Sequence, residues 1–148
     1  MKPVITWIVV ADGARASFYQ NDGPGHGVRD TRFPEIVGMH EPTRAINADR
    51  PGRMQVAGAP RHAMDWPSDP HRELKRTFAK DIAEFLTLQE RAKSFDRLVL
   101  VAPAKTLGDI RAALDKSVAQ RVYGEVPKDL TSLSARELSR HLESVICP

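Results

Sequence analysis

The sequence predicts an α/β fold: one three-layer domain built on a mixed five-stranded sheet. Three observations carry that expectation. Val4, Ile5, Trp7, Ile8, Val9 and Val10 form a near-continuous apolar run rich in β-branched residues, as in a central strand buried on both faces. Leu98-Val99-Leu100-Val101-Ala102 repeats that texture and is stopped by Pro103. Between and after these runs, residues 71–148 carry apolar residues at helical spacing.

The elements follow in order. After the first strand, Asp12-Gly13 turns the chain, and Ala14, Ala16 and Phe18 alternate with Arg15, Ser17 and Tyr19 as a half-exposed second strand. Asn21 to Gly27 reads as a turn, and its alternate glycines lack the Gly-Lys-Ser/Thr ending of a phosphate loop. Phe33 to Glu41 is expected to be a third strand. Residues 42–69 have neither a helical nor a strand period. A loop that long inside a compact domain is usually functional, and Pro51, Gly52, Gly58, Pro60 and Pro67 make 47–66 the expected mobile part.

Asp69 as N-cap and Pro70 at the first helical position open a long helix, striped by Leu74, Phe78, Ile82, Phe85 and Leu86. Thr106 with Asp109 reads as a short capping box for a second helix striped by Leu107, Ile110, Leu114 and Val118. Val122 to Val126 reads as the last strand. Ser134 with Glu137 makes a capping box for a third helix carrying Leu138, Leu142 and Val145, with Leu133 and Leu138 as its hydrophobic staple. The order β-β-β-α-β-α-β-α gives an antiparallel meander followed by right-handed parallel crossovers. The simplest sheet is then 3-2-1-4-5, a ribonuclease-H-like arrangement.

Composition bounds the function. The chain has 148 residues, 41% of them apolar and 28% charged, as in an ordinary globular domain. No apolar run approaches the ~18 residues of a membrane span. No small-residue cleavage pattern follows the first run, so the expected compartment is cytoplasmic. A single cysteine, Cys147, precludes an internal disulfide and any multi-cysteine zinc site. The net charge is +3, too small to indicate nucleic acid by itself. Seven of the 11 Pro and six of the nine Gly fall between residues 21 and 70.

Several blocks resemble one family. Trp7-Ile8-Val9-Val10-Ala11-Asp12-Gly13-Ala14-Arg15-Ala16, Asp49-Arg50-Pro51-Gly52-Arg53, Arg61-His62-Ala63-Met64, Phe95 to Pro103 and Lys128-Asp129-Leu130-Thr131 are similar to the bacterial family called protein required for attachment to host cells. They run in the family's order over almost the whole chain. The resemblance implies a fold similar to the middle domain of archaeal and eukaryotic peptide-release factors. Those factors carry Gly-Gly-Gln on a loop. Here the corresponding region reads Gln55-Val56-Ala57-Gly58-Ala59-Pro60, which argues against peptide release.

Asp12, at the end of the central strand, is the one weak catalytic candidate, because two-metal nucleases hold their ions with clustered carboxylates. Asp96 should sit at the opposite end of the sheet and Glu125 too near its edge. His62, Asp65 and His71 match no zinc spacing, and no Gly-x-Ser-x-Gly elbow exists. The expectation is therefore no cofactor and no metal. Ligands in open α/β sheets favour the carboxyl ends of parallel strands. That places Arg15, Lys105 and Thr106 in the candidate site, with exposed amides at the second helix's N-terminus. The long loop adds Arg50, Arg53, Arg61 and His62, spaced as phosphate contacts, while Trp66 pins the loop. The leading expectation is a non-enzymatic module that binds RNA or a ribosome-associated partner. The alternatives are a phosphate-handling hydrolase or nuclease using Asp12 and a metal, and a protein-interaction module affecting attachment.

Overall fold

The computed structural model describes residues 3–38 and 70–146. Its elements are β1 (Thr6–Ala11), β2 (Arg15–Asn21), β3 (Arg29–Asp30), β4 (Ile36–Val37), α1 (Pro70–Arg91), β5 (Arg97–Val101), α2 (Ala104–Ala113), α3 (Lys116–Ala119), β6 (Val122–Val126) and α4 (Ala135–His141). Six strands form one mixed sheet along the path β3-β2-β1-β5-β6, with β4 also paired to β2. β1 is antiparallel to β2 and parallel to β5, and β5 is parallel to β6.

All six residues of β1 are buried because both faces are covered. Trp7, Val9 and Ala11 point into a core shared with Phe78, Ile82 and Leu86 of α1 and with Leu107 and Ile110 of α2. Ile8 and Val10 point the other way, into a core closed by Leu138 and Leu142 of α4 and by Ile146. The period of two along a strand therefore splits one apolar run between two helical layers. Around Trp7, the rings of Phe33 and Phe95 sit at 5.4 Å and those of Phe18 and Phe85 at 6.1 Å between centroids. Such pairs add about 0.5–1.5 kcal/mol each beyond the area they bury.

Two sequence expectations fail for local reasons. Of the third strand expected at Phe33–Glu41, the described residues form Ile36–Val37, its last three residues lying outside the described ones. The unexpected pair Arg29–Asp30 occupies the same edge, so the sheet has six strands among the described residues instead of five. Pro34 has no N–H to give a ladder, and the Phe33 ring, although exposed, lies against Trp7. The second helix is also divided. Leu114 is extended, with φ −66° and ψ 138°, and Asp115 caps the separate turn α3 by accepting the Ser117 N–H. Val118 still reaches the core, from α3.

The Ser134–Glu137 capping box is present with both reciprocal bonds. Pro70 opens α1 as expected, while its N-cap Asp69 lies outside the described residues. Among the described residues, no helix is long and apolar enough to cross a membrane.

Gly124 in β6 faces the C-terminal turn so closely that a Cβ there would lie 2.6 Å from Val145 Cγ1. Gly124→Ala is expected to cost about 1–3 kcal/mol by overpacking, with part of the loss recovered in Gly124→Ala/Val145→Ala. Urea unfolding of the two variants checks this. A second expectation concerns acid. Asp22 is held below its ordinary range by Arg29 and Gln20, Glu125 by Arg111, Asp129 by Thr131 and Glu137 by Ser134. Groups depressed in the folded state contribute stability that is complete above their ordinary pKa values. That contribution disappears as pH falls through the depressed ones. The unfolding free energy should therefore be flat above about pH 4.5 and decline below it. Arg111→Ala should reduce the decline, as read from urea midpoints across the acid range.

Candidate functional site

The carboxyl ends of β1 and β5 lie side by side, since Val10 pairs with Val101 in parallel register. Asp12 follows the first of these ends. Its Oδ1 accepts the N–H groups of Ala14 at 2.7 Å and Arg15 at 2.9 Å, and its own N–H donates to the Arg15 carbonyl at 3.0 Å. These bonds close the turn into β2 and account for an aspartate at this position. Gly13 lies beneath Lys75 of α1, whose Cε is 3.2 Å from where a Cβ would stand. A larger residue at position 13 would push that lysine away.

Pro103 and α2 follow the second end. Pro103 is the N-cap and offers no side-chain cap. Thr106 is therefore inside the first turn and not the cap that the sequence suggests. Asp109, its expected capping partner, instead receives the Arg72 guanidinium of α1 through two bonds of 2.6 and 2.7 Å. The side chains of Arg72 and Asp109 are 26% and 11% exposed, so this fork lies in a semi-dry seam between α1 and α2. It fixes the helix that carries Lys105. Lys105 is exposed, as is Lys75. Neither has a carboxylate within ion-pair distance among the described residues.

Asp12, and Lys105 with Thr106, follow the carboxyl ends of the neighbouring strands β1 and β5, and Lys75, which the sequence pattern does not mark, stands over Gly13. Arg15 adjoins Asp12 through its backbone, while its side chain turns to Glu35. Arg15 belongs to β2, on the far side of β1 from β5, and sits 3.8 Å from Glu35. Both groups are exposed, and such a pair is worth little. Arg50, Arg53, Arg61, His62 and Trp66 lie outside the described residues. The residues flanking that stretch both meet this edge. The Gly38 N–H donates to the Ala14 carbonyl at 2.7 Å, Gly38 packs on Phe78 of α1, and α1 restarts at Pro70 a turn before Lys75.

Lys75 and Arg72 were hard to find because their role comes from a helix crossing. Arg72 and Asp109 are 37 residues apart, and no local spacing announces the pair. Asp96 stands at the opposite end of the sheet, where its carboxylate accepts the Ile5 N–H at 2.8 Å. Glu125 is engaged by Arg111 across the β6 edge, with one of the two bonds at 3.0 Å. Among the described residues no three His, Cys, Asp or Glu side chains gather as a metal-holding group. At the carboxyl edge the Asp12 carboxylate is committed to the turn into β2, and the first turn of α2 carries no side-chain cap at Pro103.

A family model described as protein required for attachment to host cells matches residues 7–142. Curated proteins give no match. Among solved structures, an archaeal translation termination factor aligns at 9% identity and a TM-score of 0.46, covering 95% of this chain and 38% of that one. A structure described as an archaeal protein aligns at 8% identity and 0.47, covering 95% and 37%. The chain thus spans under two fifths of the length of either.

The Arg72–Asp109 fork makes a direct test of the edge. Arg72→Ala leaves a mostly buried carboxylate without its partner and should cost roughly 2–4 kcal/mol in urea unfolding, whereas Arg72→Met with Asp109→Leu should restore most of it.

Proposed function

The chain belongs to the family of proteins required for attachment to host cells, and from that premise we propose that it acts as a non-enzymatic binding module whose carboxyl edge grips an anionic partner, RNA or a ribonucleoprotein. One observation supports this most. Lys105, in the first turn of α2 where Pro103 gives no side-chain cap, and Lys75, over Gly13, are both exposed and without ion-pair partners among the described residues. The stretch bearing Arg50, Arg53, Arg61 and His62 leaves and rejoins the fold beside them. Exposed cations beside a helix N-terminus favour a phosphate backbone, which supplies affinity without sequence readout. We read the whole chain, 1–148, as one ribonuclease-H-like domain working in the cytoplasm. Asp12 favours no hydrolase reading, because its turn bonds already explain it.

Replacement of Arg50, Arg53 and Arg61 by Ala, together with Lys75→Ala and Lys105→Ala, is the test. The variant should bind single-stranded RNA more weakly, and its slope of log affinity against log salt should shrink by roughly 0.7 per phosphate contact removed. Its unfolding free energy should be nearly unchanged. Unaltered RNA affinity with a changed sedimentation profile would favour the protein-interaction reading. RNA cleavage that depends on a divalent ion and disappears in Asp12→Asn would favour the hydrolase.

A further inference from the structure

An open cleft lies at the other end of the sheet, at the amino ends of β5 and β6. It offers about 410 Å³, within the roughly 300–1,000 Å³ of ligand sites. Its walls include Glu90, Asp96, Arg97, Gln120, Arg121 and Tyr123. We propose that this cleft binds a mononucleotide, its flat base stacked on the Arg97–Tyr123 pair and its phosphate held by Arg97 and Arg121.

The flat base follows from how Tyr123 is presented. The register between β5 and β6 steps from Leu98 opposite Val122 to Val99 opposite Gly124, so Tyr123 is an extra residue in a bulge. A bulge re-aims the side chain it carries, and this one leaves Tyr123 54% exposed on a strand whose neighbours pack inward. The Arg97 guanidinium lies over the ring at 3.9 Å from its centroid. Arg97 is itself fixed, because its Nε donates at 2.8 Å to Oγ1 of Thr6, a residue with no solvent exposure at the start of β1. A guanidinium and a phenol held in contact by a buried anchor form a ready stacking surface, and every nucleobase has a face to offer it.

The phosphate follows from which charges remain available. Arg97 has no carboxylate partner among the described residues. Arg121 is held only by bonds of 3.3 Å, to the Asp96 carbonyl and to Glu90. The Asp96 carboxylate is turned onto the Ile5 N–H. Glu90 is thus paired with Arg121 and one Asp96 oxygen is engaged, while guanidinium N–H groups of Arg97 and Arg121 remain to donate to an oxyanion. Gln120 at the wall supplies an amide suited to a base edge.

Calorimetric titration with adenosine monophosphate, ribose 5-phosphate and adenosine tests the proposal on the intact chain. The nucleotide should bind at least about tenfold more tightly than either fragment, the size expected of one stacked base. Tyr123→Ala should weaken nucleotide binding by a similar factor, and Tyr123→Phe should retain it. Arg121→Gln should weaken the nucleotide but not adenosine. Lys75→Ala with Lys105→Ala should change nothing, which separates this cleft from the opposite edge. Equal affinity for the nucleotide and ribose 5-phosphate, indifference to Tyr123→Ala in a variant that melts like wild type, or no heat at millimolar nucleotide would each overturn it.

Discussion

The rest of the structure depends on one constraint: β1 must be covered on both faces at once. Its six buried residues send alternate side chains into two separate cores. Neither α1 with α2 nor α4 can therefore be removed without exposing half of the strand. The large aromatic cluster lies on the first face and a small aliphatic core on the second. The helical layers in turn decide where charged groups emerge. α1 returns its first turn to the carboxyl edge, and the segment that enters β5 sets Asp96 and Arg97 at the amino edge.

This division gives the two ends of the sheet different characters. At the carboxyl edge the described cations sit on helices and on the flanks of a long connecting stretch. At the amino edge, Arg97 and Tyr123 sit on the strands themselves, tied to Thr6 in the middle of the sheet. Groups mounted on strands keep their geometry better than groups mounted on loops. The amino-edge cleft therefore suits a small ligand of fixed shape.

Much of the fold was legible because hydrophobic period is a local signal. The β1 run, the α1 stripe and the Ser134–Glu137 box each lie within a few residues of chain and appear in the structure. What escaped depended on distant partners. Thr106 looks like a cap only until Asp109 is known to serve Arg72, 37 residues earlier. Phe33 looks like strand until Trp7 is known to take its ring. The site was legible only in part for the same reason. Lys105 was singled out from its place after a parallel strand, but Lys75 emerges only from the crossing of α1 over Gly13. The Arg97–Tyr123 platform arises from a one-residue slip in strand register, which no sequence pattern marks.

The margins of the sheet carry a further consequence. Open strand edges invite other chains to pair with them, and long, flat ones seed aggregates. Here one margin is cut into two pieces of two residues each, on either side of Pro34, and the other is twisted by the Tyr123 bulge. Among the described residues neither margin offers an unbroken row of backbone donors and acceptors longer than a few residues. The same irregularities that shape the clefts thus keep the sheet from serving as a template for edge-to-edge growth.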